Sequence, residues 1–85
     1  MKYKLSKHAT EQIERRDLSL SLVDEVTGNP ESVIKYDNCV SVFQKIINDG
    51  KNNYLYRVFV NTCKNPGLII TVYKTSKIKK YENKI

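Results

Sequence analysis

The chain falls into two halves of different hydrophobic period. In the first, apolar residues recur three or four positions apart. Leu5, Ala9 and Ile13 share one side of a helical wheel, and Leu22, Val23 and Val26 form a second stripe. This spacing predicts one helix over Lys7–Arg16 with Ser6 as its cap, and a second over Leu20–Thr27 capped by Ser19. Asp17-Leu18 breaks them apart, and Gly28 followed by Asn29-Pro30 stops the second. Beyond Pro30 the character changes. Ser32–Tyr36, Val40–Asn48, Asn53–Cys63 and Leu68–Thr75 are rich in Val, Ile, Tyr, Phe and Thr and read as strands. Asp37-Asn38, Asp49-Gly50-Lys51-Asn52 and Asn65-Pro66-Gly67 supply the turns between them. Lys2–Leu5 adds a short strand at the start.

Consecutive strands with short connections predict an antiparallel meander, and two helices ahead of them predict an α+β fold with both helices on one sheet face. The other face is then partly free, flanked by the first helix and the tail. The last ten residues, SKIKKYENKI, suit a continued strand, a helical turn or a frayed end.

At 85 residues this is one domain, spanning 1–85. A composition 40% hydrophobic and 28% charged excludes a disordered tail. No apolar run approaches the roughly 18 residues of a bilayer span, and the start, MKYKLSKHATEQIERR, lacks the apolar stretch of a secretory signal. Both point to a cytoplasmic protein with no membrane partner. Cys39 and Cys63 form no C-x-x-C pair, and His8 has no second histidine beside it, so a zinc site is excluded. Both cysteines read as small strand hydrophobes.

Charge sharpens this picture. The net charge is +6. The first helix carries Lys7, Arg15 and Arg16, the second carries only acids, and the tail holds Lys74, Lys77, Lys79, Lys80 and Lys84 against Glu82. A basic side built from the first helix and the tail predicts phosphate polyanions as partners. Several side chains could act on such a ligand. His8, in the first turn beside Lys7, is a candidate general base, or is simply an exposed helix-start residue. Arg16 falls within the apolar face and suits either a bidentate phosphate contact or the helix C-terminus, whereas Arg15 points nearer His8 and solvent. In the last strand Ile69, Thr71 and Tyr73 alternate with Leu68, Ile70 and Val72, so two hydroxyls share one row on the open face. Arg57 shares a strand face with Leu55 and Phe59, where Asp37 or Asp49 is its simplest partner. Lys77, Lys80 and Tyr81 form a basic patch with an aromatic inside it. No phosphate loop and no acidic metal cluster accompanies them, so an enzyme built from this set needs no metal and no cofactor. RNA suits it, because RNA carries its own nucleophile.

The order Leu5-Ser6-Lys7-His8-Ala9, then Arg16-Asp17-Leu18-Ser19, then Asn29-Pro30, resembles the domain-of-unknown-function family 4258. Its early pattern runs H-A-x(6)-R-G-[IL]-S. The family's late apolar pair followed by T-x-Y matches Ile69-Ile70-Thr71-Val72-Tyr73, and Thr75–Tyr81 resembles its tail. Asp17 replaces the usual glycine, and Gln12 stands where many members have arginine. That family is similar to the RelE/ParE toxin superfamily. The resemblance implies two helices on a curved antiparallel sheet of four to five strands. It implies an mRNA interferase type of endoribonuclease from a toxin–antitoxin pair, with RNA (ribosome-bound mRNA included) and a cognate antitoxin as partners. By position, His8 would be the acid or base, Arg16 would stabilise phosphate charge, Thr71 would orient phosphate and Tyr73 would assist proton transfer. Arg15, Arg57, Lys77, Lys80 and Tyr81 would bind substrate. The alternatives are a ParE-like inhibitor that binds gyrase without catalysis, and a plain RNA-binding module.

Overall fold

Serine caps start both helices in the computed structural model, which describes residues 2–84. Ser6 Oγ accepts from the Ala9 amide at 3.0 Å and begins α1 (Lys7–Arg15); Ser19 Oγ accepts from Leu22 at 3.4 Å and begins α2 (Leu20–Gly28). Each serine satisfies one of the amides that a helix start leaves open. Between the helices the chain forms a Schellman turn. The Leu18 amide donates to Ile13 O at 2.9 Å and the Asp17 amide to Glu14 O at 3.3 Å. Asp17 takes φ 51° there, the left-handed conformation that a glycine would adopt freely, while Leu18 turns into the core. A short polar side chain tolerates that conformation, and a β-branched one does not. Asp17→Val is therefore expected to lower unfolding stability by about 1–2 kcal/mol, whereas Asp17→Gly leaves it level or raises it. Urea midpoints of the two variants check this.

The strands are β1 (Lys4–Leu5), β2 (Ser32–Lys35), β3 (Val40–Asn48), β4 (Asn53–Asn61) and β5 (Leu68–Thr75), in sheet order β1-β5-β4-β3-β2. β2 to β5 form the expected antiparallel meander. β1 pairs parallel to β5, so the sheet is mixed rather than wholly antiparallel. Asp37 and Asp49 each close their own turn: Asp37 accepts from Cys39 and Val40, and Asp49 from Lys51 and Asn52. Their carboxylates are thus not the partners of Arg57. The chain then ends in a 3-10 helix, Ile78–Lys84, which decides among the three endings open to the tail.

One sheet face meets the helices. Ala9, Leu18, Val23 and Val26 pack there against Tyr56, Val58, Val60, Ile69 and Val72. Burying one valine or leucine side chain contributes about 1.5–3 kcal/mol, so this face carries the fold. Lys45 ties α2 down from β3, bonding Glu25 at 2.6 Å and the Asn29 carbonyl at 3.0 Å. Among the described residues, no helix is long and apolar enough to cross a membrane.

Two expectations need correction. A bulge opposite Phe59/Val60 pairs Phe59 with Thr71 but Val60 with Ile69, leaving Ile70 as the extra residue. Ile69 therefore joins the helix face with Val72, and only Thr71 and Tyr73 keep the opposite face. The cysteines are not strand hydrophobes. Cys39 precedes β3, Cys63 follows β4, and they form a disulfide with Cα atoms 5.1 Å apart. The pairing of Val40 with Asn61 brings their two segments together.

Candidate functional site

The face away from the helices carries the chemistry. β4 presents Leu55, Arg57 and Phe59 there. Register places Val42, Gln44 and Ile46 of β3 on one side of them and Thr71, Tyr73 and Thr75 of β5 on the other. Arg57 stands at the middle. Its Nε donates to Gln44 Oε1 at 2.5 Å and its Nη1 to the Tyr73 hydroxyl at 2.6 Å. The guanidinium lies 4.4 Å from the Tyr81 ring centre, 5.3 Å from Phe59 and 5.7 Å from Tyr73, a cation in an aromatic surround. Tyr73 in turn donates to the Tyr81 hydroxyl at 3.4 Å, and Lys80 Nζ lies 5.6 Å from the Tyr81 ring centre. Tyr36 packs edge-on against Phe59 at 5.7 Å.

The face that the strand pattern leaves free is therefore covered in part by the chain's own C-terminal helix, through Tyr81. Leu55 and Val42, on the side away from α1 and α2, are as deeply buried as the main core.

The two phenols differ. Burial pushes Tyr73 above the ordinary 10.0, its bond to Tyr81 adds to this, and Arg57 opposes it. Tyr81 moves below 10.0, first because Tyr73 hydrogen-bonds to it and then through the charges of Lys80 and Arg57. Tyr73 keeps its proton longer and Tyr81 releases its own sooner. Spectrophotometric titration of the six tyrosines is expected to show one phenol ionising below the ordinary 10.0. Tyr81→Phe should remove that early step; an unchanged curve would mean that the phenol pair is not formed in solution.

Of the residues singled out from the sequence, Arg57, Tyr73 and Tyr81 come together, with Lys80 beside them. Thr71 lies on the same face, half-buried, opposite Phe59 in register. Lys77 is exposed, its amide donating to Thr75 Oγ1 at 3.0 Å. His8, Arg15 and Arg16 are exposed on α1 and make no side-chain hydrogen bond or ion pair among the described residues. Arg16 is the C-cap of α1, so it holds the helix-end position rather than reaching the cluster.

The link from α1 to the site runs through Gln12. Its Oε1 accepts from the Val72 amide at 2.9 Å, which satisfies the β5 edge where β1 has ended. Arginine, which has no acceptor, could not make this bond. His8 lies one helical turn before Gln12 and about 40° further from the core side of the wheel. α1 packs on the sheet face opposite Thr71 and Tyr73, and no contact joins His8 to either among the described residues.

Sequence reasoning missed Gln44 and Tyr36, and it set Phe59 on the Arg57 face without giving it a part in the site. A signal for Gln44 was present: it is the one polar residue in the alternating set Val42, Gln44, Ile46, directly across from Arg57. A separate pocket of about 290 Å³, lined by Lys4, Lys64, Asn65, Pro66 and Leu68, contains none of these residues. Among the described residues, no group of three or more His, Cys, Asp or Glu side chains is placed to hold a metal ion.

Residues 5–74 match the family described as Domain of unknown function (DUF4258). That span contains His8, Arg57, Thr71 and Tyr73 but stops short of Tyr81. No curated protein and no solved structure matches the chain.

Proposed function

We propose that this chain, which belongs to the DUF4258 family, is a RelE/ParE-like toxin that cleaves RNA without a metal ion. It works in the cytoplasm and is held in check by a cognate antitoxin. The observation that carries this reading is Arg57, bonded to Tyr73 at 2.6 Å and stacked beneath Tyr81 at 4.4 Å, on the sheet face away from α1 and α2. A guanidinium with a phenol on its donor edge suits a phosphate that gains charge during reaction.

In the reaction the RNA 2′-oxygen attacks the adjacent phosphorus. A base removes the 2′-hydroxyl proton, the bond to the 5′-oxygen breaks, and an acid returns a proton to that oxygen. The products are a 2′,3′-cyclic phosphate and a 5′-hydroxyl. Tyr73, which burial keeps protonated, has the character of the acid. His8 is assigned the part of the base on its residue type and on its place in the family pattern, one helical turn before Gln12, whose Oε1 accepts from the Val72 amide of β5. Arg57 neutralises the phosphorane, and Thr71 and Lys80 hold the strand.

The test is cleavage of an oligoribonucleotide by the purified protein in EDTA, with the new ends identified. A cyclic phosphate and loss of activity in His8→Ala are expected, and cleavage that vanishes with EDTA overturns the chemistry. The exposed, unpartnered state of His8 favours one rival, a non-catalytic RNA-binding module. Salt-dependent RNA affinity without cleavage would select that rival.

A further inference from the structure

Gln44 is fully buried, and among the described residues its Nε2 has no hydrogen-bond partner. The orientation of the amide has a cause. Gln44 Oε1 is committed to Arg57 Nε at 2.5 Å. Turning the amide over would set its NH2 against the guanidinium, two donors head to head. Arg57 thus fixes which end of the amide faces it and leaves Nε2 as the free end. Buried donors are nearly always paired, so one held unpaired beside a cation asks for an acceptor.

The cover over this face belongs to the C-terminal 3-10 helix, whose Tyr81 rests on Arg57 and meets Tyr73 through a long 3.4 Å hydrogen bond. Its sequence, IKKYENK, is mostly charged or polar, and it runs for 7 residues, longer than 3-10 helices usually hold. A cover of this kind can lift where β3, β4 and β5 cannot.

We propose that Gln44 Nε2 and the Arg57 guanidinium form a two-residue fork for a phosphate oxygen of the RNA backbone, and that Tyr81 covers the fork until the ligand displaces it. The inference rests on the RNA reading above and adds to it a binding residue and an order of events. Gln44 supplies neutral donors at the inner side and Arg57 supplies charge. Tyr81, freed from its place over the guanidinium, offers its ring to a base. The free protein is then self-covered, and RNA competes with its own C-terminal helix.

The test uses the full-length, 15N-labelled chain. Two probes are titrated while the side-chain amide signals and tyrosine ring signals are followed: inorganic phosphate, and a 2′-O-methyl hexaribonucleotide that cannot be cleaved. Both are expected to move the Gln44 Nε2 protons, and the oligonucleotide also to shift the Tyr81 ring. Gln44→Glu keeps the acceptor for Arg57 and removes the donors. Its oligonucleotide affinity is expected to fall about tenfold or more, with no loss in melting temperature. Oligonucleotide binding that leaves Gln44 and Tyr81 unmoved overturns the fork and spares the RNA reading. Phosphate that moves Gln44 while the oligonucleotide fails to bind supports the fork and overturns the RNA reading. Silence from both probes overturns the fork.

Discussion

Arg57→Lys is expected to slow the proposed RNA cleavage by roughly 10²–10³-fold while the protein stays folded. The wild-type guanidinium makes two directed bonds at once, to Gln44 at 2.5 Å and to Tyr73 at 2.6 Å, across neighbouring strands on both sides of β4. An ammonium keeps the positive charge but has no fork and no flat face to stack beneath Tyr81. Charge alone therefore survives, and oligonucleotide binding should weaken far less than turnover. That split separates transition-state stabilisation from general attraction to a polyanion. Single-turnover rates of Arg57→Lys, with circular dichroism to confirm folding, read it directly. Tyr73→Phe removes the hydroxyl that Arg57 binds and is expected to slow cleavage by roughly 10²-fold or more, as loss of a general acid does. The double variant should be little worse than Arg57→Lys, because residues that act as a unit lose their effect together. Near-normal cleavage by Arg57→Lys would move the chemistry off this sheet face altogether.

The local elements were legible because their signals are local. Ser6 and Ser19 cap where a serine ahead of an apolar period should cap, and β3 and β5 span the residues that alternation and turn chemistry mark out. The parallel seat of β1 was not legible, since it depends on Lys4 and Leu5 meeting Leu68 and Ile69 across more than sixty residues. The bulge at Ile70 escaped for a similar reason. Strand alternation carries no sign of one extra residue, so Ile69 was assigned to the face of Thr71 and Tyr73. Arg57 stands out as an odd residue on an apolar strand face. Acids are the partners its charge suggests, yet Asp37 and Asp49 spend their oxygens on their own turns. The partners are a glutamine and a tyrosine on the adjacent strands, which only the register reveals. Gln12 shows the reverse case: a polar residue within an exposed-looking helix stretch gives no local sign of a structural part, yet its oxygen closes the β5 edge at Val72.

Reduction of the Cys39–Cys63 disulfide is expected to lower unfolding stability by about 3 kcal/mol. The two cysteines are 24 residues apart in sequence, and the bond closes the open end of the β3–β4 hairpin, opposite the Asp49–Asn52 turn. The folded state gains little from it directly. The Thr62 amide and hydroxyl both donate to the Cys39 carbonyl, at 2.7 and 3.0 Å, so these segments stay paired without a covalent link. The effect lies mainly in the unfolded chain, where a closed loop of this length has fewer conformations to lose. In a chain of 85 residues, whose whole stability is of order 4–13 kcal/mol, that change is large. Urea midpoints with and without reductant measure it, and Cys39→Ser, indifferent to reductant, should match the reduced protein. The result also bears on the cytoplasmic reading, because thiols there are kept reduced. A chain acting in that compartment would work at the lower stability, and a bound partner would restore part of it by mass action. Coincident midpoints would mean that the pair stays as thiols in solution, leaving the hairpin end to the Thr62 bonds alone.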